Sequence, residues 1–238
     1  MAQGNALNRE VAANYLRRAN YALQDIDSAA KAIIAQVEKI NTLFGAPTMD
    51  APVSQTYRKF YDGMNQYMTT MYSNLSVFFP AMEAEINAGS EATGDRQNIP
   101  IEVPSWSNTA AVRFKKEAGI ESFQGIVSEL NGMQNLSSNY SSACNEVINN
   151  LKGVWESAGT HEGLKNNAHQ AAEAIRVFTE NVHNALDQFK ISFGGSVEAI
   201  LSKVQTYTDQ DSQAVDAMYN ALNSLDFSLL KATDSMIV

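Results

Sequence analysis

The sequence predicts an all-α fold: two long antiparallel helical hairpins packed as an elongated four-helix bundle, with a short C-terminal helix. Three observations predict it. Apolar residues recur at steps of three and four along four long stretches, which places them on one side of a helix. The chain of 238 residues holds only 5 prolines and 13 glycines, and these cluster, so long runs escape the frequent turns of a β fold. Hydrophobic residues make up 45% of the chain, ample for the core of one large domain or two small ones.

The first stretch is Val11, Tyr15, Ala19, Ala22, Ile26, Ala29, Ile33, Val37, Ile40 and Phe44. At about 1.5 Å per residue, such a helix spans on the order of 50 Å. Gly45-Ala46-Pro47 stops it, and Pro52 stands at the start of the next. The second stretch is Val53, Tyr57, Phe60, Met64, Tyr67, Met71, Leu75, Phe78, Met82 and Ile86. Pro80 falls inside it and is expected to kink the helix or end it early, because proline lacks an N–H and clashes one turn back. Two such helices joined by a short Pro/Gly turn make an antiparallel hairpin over residues 1–88.

The stretch NAGSEATGDRQNIPIEVPSWSN, residues 87–108, has two glycines, two prolines and no helical period. It marks a linker over 89–108 and the best domain boundary in the chain. Ile99, Ile101, Val103 and Trp106 alternate with polar residues or proline, which predicts an extended path against the helices. Asn108 or Thr109 is placed to cap the next helix.

The third helical stretch is Ile126, Leu130, Met133, Ser137, Tyr140, Cys144, Val147, Leu151 and Val154, a strict four-three alternation with one polar exception, Ser137. Phe114, Ala118 and Phe123 extend it upstream, where Gly119, Gly125 and Gly132 each lower helix propensity by about 1 kcal/mol relative to alanine. A turn is expected at 156–161. The fourth stretch runs from Leu164 through Ile175, Phe178, Val182 and Leu186 to Val204 and Tyr207. Together they form a second hairpin over 109–211. Val215, Met218, Leu222 and Leu225 mark a shorter amphipathic helix in the tail, 212–238.

The formal net charge is −9. An acidic surface repels phosphate backbones, so no nucleic-acid partner is expected. The only cysteine, Cys144, occupies an apolar heptad position and reads as an inert core thiol. No stretch of about 18 apolar residues marks a membrane span. The start, MAQGNALNRE, lacks the basic and apolar regions of a secretory signal peptide, so any export would have to use a route that does not read one.

Around the expected turn stands Val154-Trp155-Glu156-Ser157-Ala158-Gly159, between a long three-four helix and its antiparallel mate. This second hairpin resembles the WXG, or ESAT-like, family of small type VII secretion substrates, which are helical hairpins with a Trp-x-Gly turn. Here Gly159 follows Trp155 by four residues instead of two. The resemblance implies a non-enzymatic secreted or cell-surface protein, cytoplasmic before export, that acts as a homodimer or with another helical hairpin protein. It also implies a secretion signal, Tyr-x-x-x-Asp/Glu, after the hairpin. Tyr207 and Asp211 match it there and would engage a type VII secretion ATPase; Tyr21 and Asp25 match the same spacing in the first helix. The first hairpin has Phe44 where the family has tryptophan, as a degenerate second copy would. Trp155 is expected to wedge between the helix ends and bury its ring.

The second helix carries more Met and aromatic residues than one face can hold. Tyr61, Met68, Tyr72, Phe78 and Phe79 are the surplus, expected to be covered by the other hairpin or by a partner. Membrane contact through 73–80 is the less favoured alternative. An α-helical pore-forming component, or a structural protein of an appendage or phage particle, are the competing functional readings. No catalytic residues, cofactor or metal site are expected. His169 and His183 lie about 21 Å apart along one helix, His161 is in the turn, and no nucleophile elbow or phosphate loop is present. Glu83, Glu85, Glu173 and Glu180 read as solvated faces.

Overall fold

The computed structural model describes residues 6–43, 52–107 and 120–188. It is all-helical: α1 (Arg9–Leu43), α2 (Pro52–Asn87), a one-turn α3 (Ser90–Thr93), α4 (Ile120–Ser157) and α5 (Glu162–Gln188). No strand occurs among the described residues. The turn at 45–47, the cap at Asn108 or Thr109, and everything beyond Gln188, including Tyr207, Asp211 and the tail, lie outside them.

Each long helix packs on two others: α1 on α4 and α2, α5 on α4 and α2, with the α1–α4 interface the most extensive and α1–α2 the least. Cross-helix contacts fix the directions. Asn8 N–H bonds Ser157 O at one end of the α1–α4 pair, and Gln36 Nε2 bonds Glu129 O at the other. Tyr67 Oη donates to Val177 O at 3.3 Å between α2 and α5, and the two rings of Tyr67 and Phe178 meet edge to face with centroids 4.0 Å apart. The two α1–α4 bonds show that this pair runs antiparallel.

The core is continuous. Leu16, Leu23, Ile26, Met68, Met71, Phe79, Tyr140, Leu151, Ile175 and Phe178 belong to one buried cluster fed by all four helices. α1 is the most enclosed. Its exposed residues reduce to a narrow stripe through Val11, Asn14, Arg18, Tyr21, Asp25 and Ser28. The alanines Ala12, Ala13, Ala19, Ala22 and Ala30 are buried, and such small side chains let neighbouring backbones approach.

Helix ends need partners for orphan carbonyls and N–H groups. Asn8 supplies both kinds of cap. Its Oδ1 accepts from Val11 N–H, capping α1, while its own N–H satisfies Ser157 O at the end of α4. Next to it, Arg9 donates from Nε to Ile86 O at 2.9 Å and from Nη2 to Ala88 O at 2.6 Å, and pairs with Asp95 at 3.0 Å. The start of α1 thus closes the ends of both α2 and α4, and its guanidinium sits where the α2 dipole is negative.

Pro80 does not end α2, which continues to Asn87. The proline and Ser76, whose carbonyl would have accepted the missing N–H, both face solvent, so water can take that place.

The linker is not featureless. After α3, which is flanked by Gly89 and Gly94 in the left-handed region (φ 71° and 72°), residues 97–106 run extended along α1 and α2. Pro100 and Pro104 hold the residues before them, Ile99 and Val103, in the extended region. Ile99 is buried, and Ile101, Val103 and Trp106 pack partly on the core, while Asn98, Pro100 and Glu102 are exposed. The alternation is that of a strand lying on a surface.

Candidate functional site

α4 and α5 meet at the turn 158–161. Gly159 takes φ 58°, which glycine adopts without strain, and His161 N–H closes the turn on Ala158 O at 3.0 Å. Trp155 lies in the last turn of α4, one residue too far round to point inward: Val154 and Ala158 are fully buried. Its ring is 47% exposed. The burial expected between the helix ends is corrected here, because small inward residues already fill that space.

The ring forms one wall of a groove of about 170 Å³ between α4 and α5, with Ile148, Leu151 and Lys152 on one side and Ala168, His169 and Ala172 on the other. Ala168 and Ala172 are what open it: larger residues there would fill the seam. Lys165 Nζ stands 5.5 Å from the ring centroid, a cation–π distance, and pairs with Glu162 at 3.2 Å. Lys152 and Glu156 lie 3.8 Å apart beside it. The result is a half-open apolar notch with an aromatic wall and a rim of paired charges, a shape suited to receiving an apolar side chain from a partner.

The Met and aromatic surplus of α2 is covered from within. Met68 and Phe79 are fully buried, Tyr72 is 3% exposed, and Tyr61 and Phe78 pack partly on the core. Within 73–80, Leu75 is buried and Val77 is 66% exposed. No helix among the described residues is long and apolar enough to cross a membrane. Cys144 is fully buried, and burial pushes its thiol up to about 11. Burial likewise raises the phenols of Tyr67, Tyr72 and Tyr140 above their ordinary range.

The structure adds one constellation that sequence reading missed. Ser137 Oγ lies 2.9 Å from His183 Nδ1, and His183 Nε2 lies 3.1 Å from Asp187 Oδ2. The order serine–histidine–aspartate is that of a nucleophile relay. The surroundings differ from one. Ser137 is only 6% exposed, and it sits mid-helix, where backbone N–H groups are spent on carbonyls four residues back, leaving no donor pair for an oxyanion. What the contacts do is join α4 to α5 through Ser137 and His183 at the edge of the seam, while Asp187, one turn along α5, meets the other ring nitrogen of His183 at the surface. The lone polar member of the four-three series was the available signal; its partner, 46 residues away, was not.

Glu173 and Glu180 bracket Arg176 on the exposed face of α5, and the guanidinium holds the Glu173 carboxyl below the usual range through hydrogen bonds and charge. Among the described residues no group of three His, Cys, Asp or Glu side chains is placed to hold a metal ion. Tyr21, 68% exposed, and Asp25 share the solvent stripe of α1 one turn apart. No protein-family model, curated protein or solved structure matches the chain.

Proposed function

We propose that this chain is a non-enzymatic helical-hairpin protein of a bacterial type VII (ESX-like) secretion system, working through helix–helix association as a substrate or as the partner of another hairpin protein. In this reading α1–α2 and α4–α5 are two hairpins packed as an elongated bundle, each covering the apolar face that a dimer partner covers in single-hairpin members of the WXG family. The observation that carries the reading is Trp155: a large ring beside the α4–α5 turn, half exposed over an apolar groove. A core-filling tryptophan would be hidden, whereas an exposed one beside a notch is the usual form of an interface anchor.

Export from a host with an active type VII system tests the reading. Wild type should reach the medium or surface, and Tyr207→Ala should hold it in the cell as folded, soluble protein. If Tyr21→Ala blocks export and Tyr207→Ala does not, the signal is the exposed α1 copy. If the wild type is never exported, or if export ignores both tyrosines, the secretion assignment fails. Trp155→Ala should leave folding intact and weaken association with the partner; unchanged association would remove the groove from the interface.

A further inference from the structure

Asparagines do two different jobs in this molecule. Some hold an extended strap, residues 97–106, against α1 and α2. A strap lying on helices must find side-chain partners for its backbone, because the backbone groups of a helix are used within it. Asn87 of α2 accepts from Gln97 N–H at 2.8 Å and donates to Gln97 O at 3.0 Å. Asn20 of α1 donates to Pro100 O at 3.4 Å and accepts from Glu102 N–H at 3.1 Å. Those amides are committed to the fold.

The asparagines of α4 are placed otherwise. Asn131, Asn135, Ser138, Ser142, Asn145 and Asn149 follow one another at steps of four and three, and all are exposed. They form one outward ridge about 27 Å long. Between Asn131 and Asn149 the only charged residue is Glu146, in a chain whose formal net charge is −9. The residue types also mirror about Tyr140: Ser138 answers Ser142, Asn135 answers Asn145, and Asn131 answers Asn149.

A two-fold axis reads such a mirror. When two copies of α4 lie antiparallel about a dyad level with Tyr140, each ridge residue stands level with its mirror residue in the other copy. Asparagine suits that placement, because an amide carries donors and an acceptor and can bond its own twin reciprocally. At the centre Ser138 already donates to Gln134 O at 3.0 Å, so its oxygen is left to accept, and two short side chains let the helices approach. The charges stay out of conflict. The two Glu146 carboxylates lie about 18 Å apart along the axis, each level with Gln134, an amide donor, and Lys152 is level with Ser128. α2 has a comparable uncharged stretch from Gly63 to Met82, but a dyad through its middle would set Asp62 level with Glu83, carboxylate against carboxylate.

We propose that the outer face of α4 is a homodimer interface, in which two copies of this chain pair antiparallel about a two-fold axis level with Tyr140. This face is separate from the Trp155 groove between α4 and α5 and does not depend on export. It is narrow and polar, so the dimer is weak and reversible.

Sedimentation velocity of the full-length chain from about 1 to 200 µM tests it. Wild type should shift from monomer toward dimer as concentration rises. Asn135→Lys with Asn145→Lys sets like charges level across the dyad and should hold the chain monomeric, although it lowers the net charge. Asn135→Lys with Asn145→Glu sets opposite charges level and should give a dimer at least tenfold tighter than wild type at low salt, a gain that about 0.5 M NaCl removes. Both positions are exposed, so helical circular dichroism should match wild type in each variant. A wild type that stays monomeric throughout overturns the proposal. So does a dimer that survives lysine at both positions, or one weakened by the lysine–glutamate combination, since either puts the contact on another face or in another register. Trp155→Ala should leave this dimer unchanged; its loss in that variant would move the contact to the groove and overturn the proposal as well.

Discussion

α1 has two seams that solve the same problem in different ways. Against α4 it packs directly, in the most extensive interface of the molecule. Gly153 lets the Tyr15 ring lie on the α4 backbone, and hydrogen bonds from Asn8 and Gln36 fasten the two ends. Against α2 the direct interface is the least extensive, and the extended strap covers the outer groove. The difference follows from side-chain size. Glycine and alanine permit close backbone approach, whereas a helix crowded with Met, Tyr and Phe does not, and the remaining gap is closed by a flatter element. A helix–helix seam is fixed mainly by packing, with hydrogen bonds at its ends. A helix–strap seam also needs polar side chains to serve the strap's backbone.

Filling the direct seam should have the largest effect. A Cβ at position 153 would lie 2.5 Å from Tyr15 Cδ1 and within 2.7 Å of two further ring atoms. Gly153→Val should therefore cost about 3 kcal/mol, the upper range for overpacking, read as a fall in thermal midpoint. Unchanged stability would mean that α1 and α4 are not in direct contact there.

The core shared by both seams should respond to alkali. The Cys144 thiol, ordinarily near 9, is pushed to about 11 by burial, and the phenols of Tyr67, Tyr72 and Tyr140 are raised for the same cause. These groups stay protonated in the fold and ionise first in the unfolded chain. Stability should be undiminished below about pH 8 and should fall as pH rises through 9 to 11, by on the order of 2 kcal/mol for the thiol alone. Urea titrations across that range measure it, and Cys144→Ala should flatten the slope.

The strap seam should answer to its amides. Asn20→Ala removes two hydrogen bonds and leaves a backbone N–H and carbonyl to find water, for a loss of about 1–2 kcal/mol, with faster hydrogen exchange confined to the strap. A smaller effect separates true backbone crowding from crowding by a flexible side chain. A Cβ at Gly163 would meet Glu85 Oε1 at 2.6 Å, but that carboxylate can swing away. Gly163→Ala should fall within about 1 kcal/mol of wild type, on the stabilising side through helix propensity. The smallest change expected is Tyr72→Phe. The Tyr72 hydroxyl is buried with no hydrogen-bond partner among the described residues, so removing it should leave stability unchanged or slightly raised.

Much of the fold was legible. Among the described residues the three-four series located α1, α2, α4 and α5 to within a few residues, the extensions through Phe114 and Ala118 and beyond Gln188 falling outside them, and the alternation after Ile99 foretold an extended path. The candidate site was legible only in part. Trp155 was found from its place at a turn, but its exposure was not. Ser137 was visible as a misfit, but His183 was not visible as its answer. Asn20 and Asn87 passed unnoticed, since an asparagine in a helical series looks like any other polar residue until the element it serves lies beside it.

What the chain alone determined is local: periodicity within one helix, a proline's effect on its neighbour and the absence of breakers act over a few residues. Which helix α1 would choose as its closest neighbour, which way Trp155 would face, and which polar side chains would meet across 46 or 80 residues were decided by tertiary structure. Those outcomes depend on how whole faces of unequal side-chain size fit together, and no short window of sequence contains both surfaces.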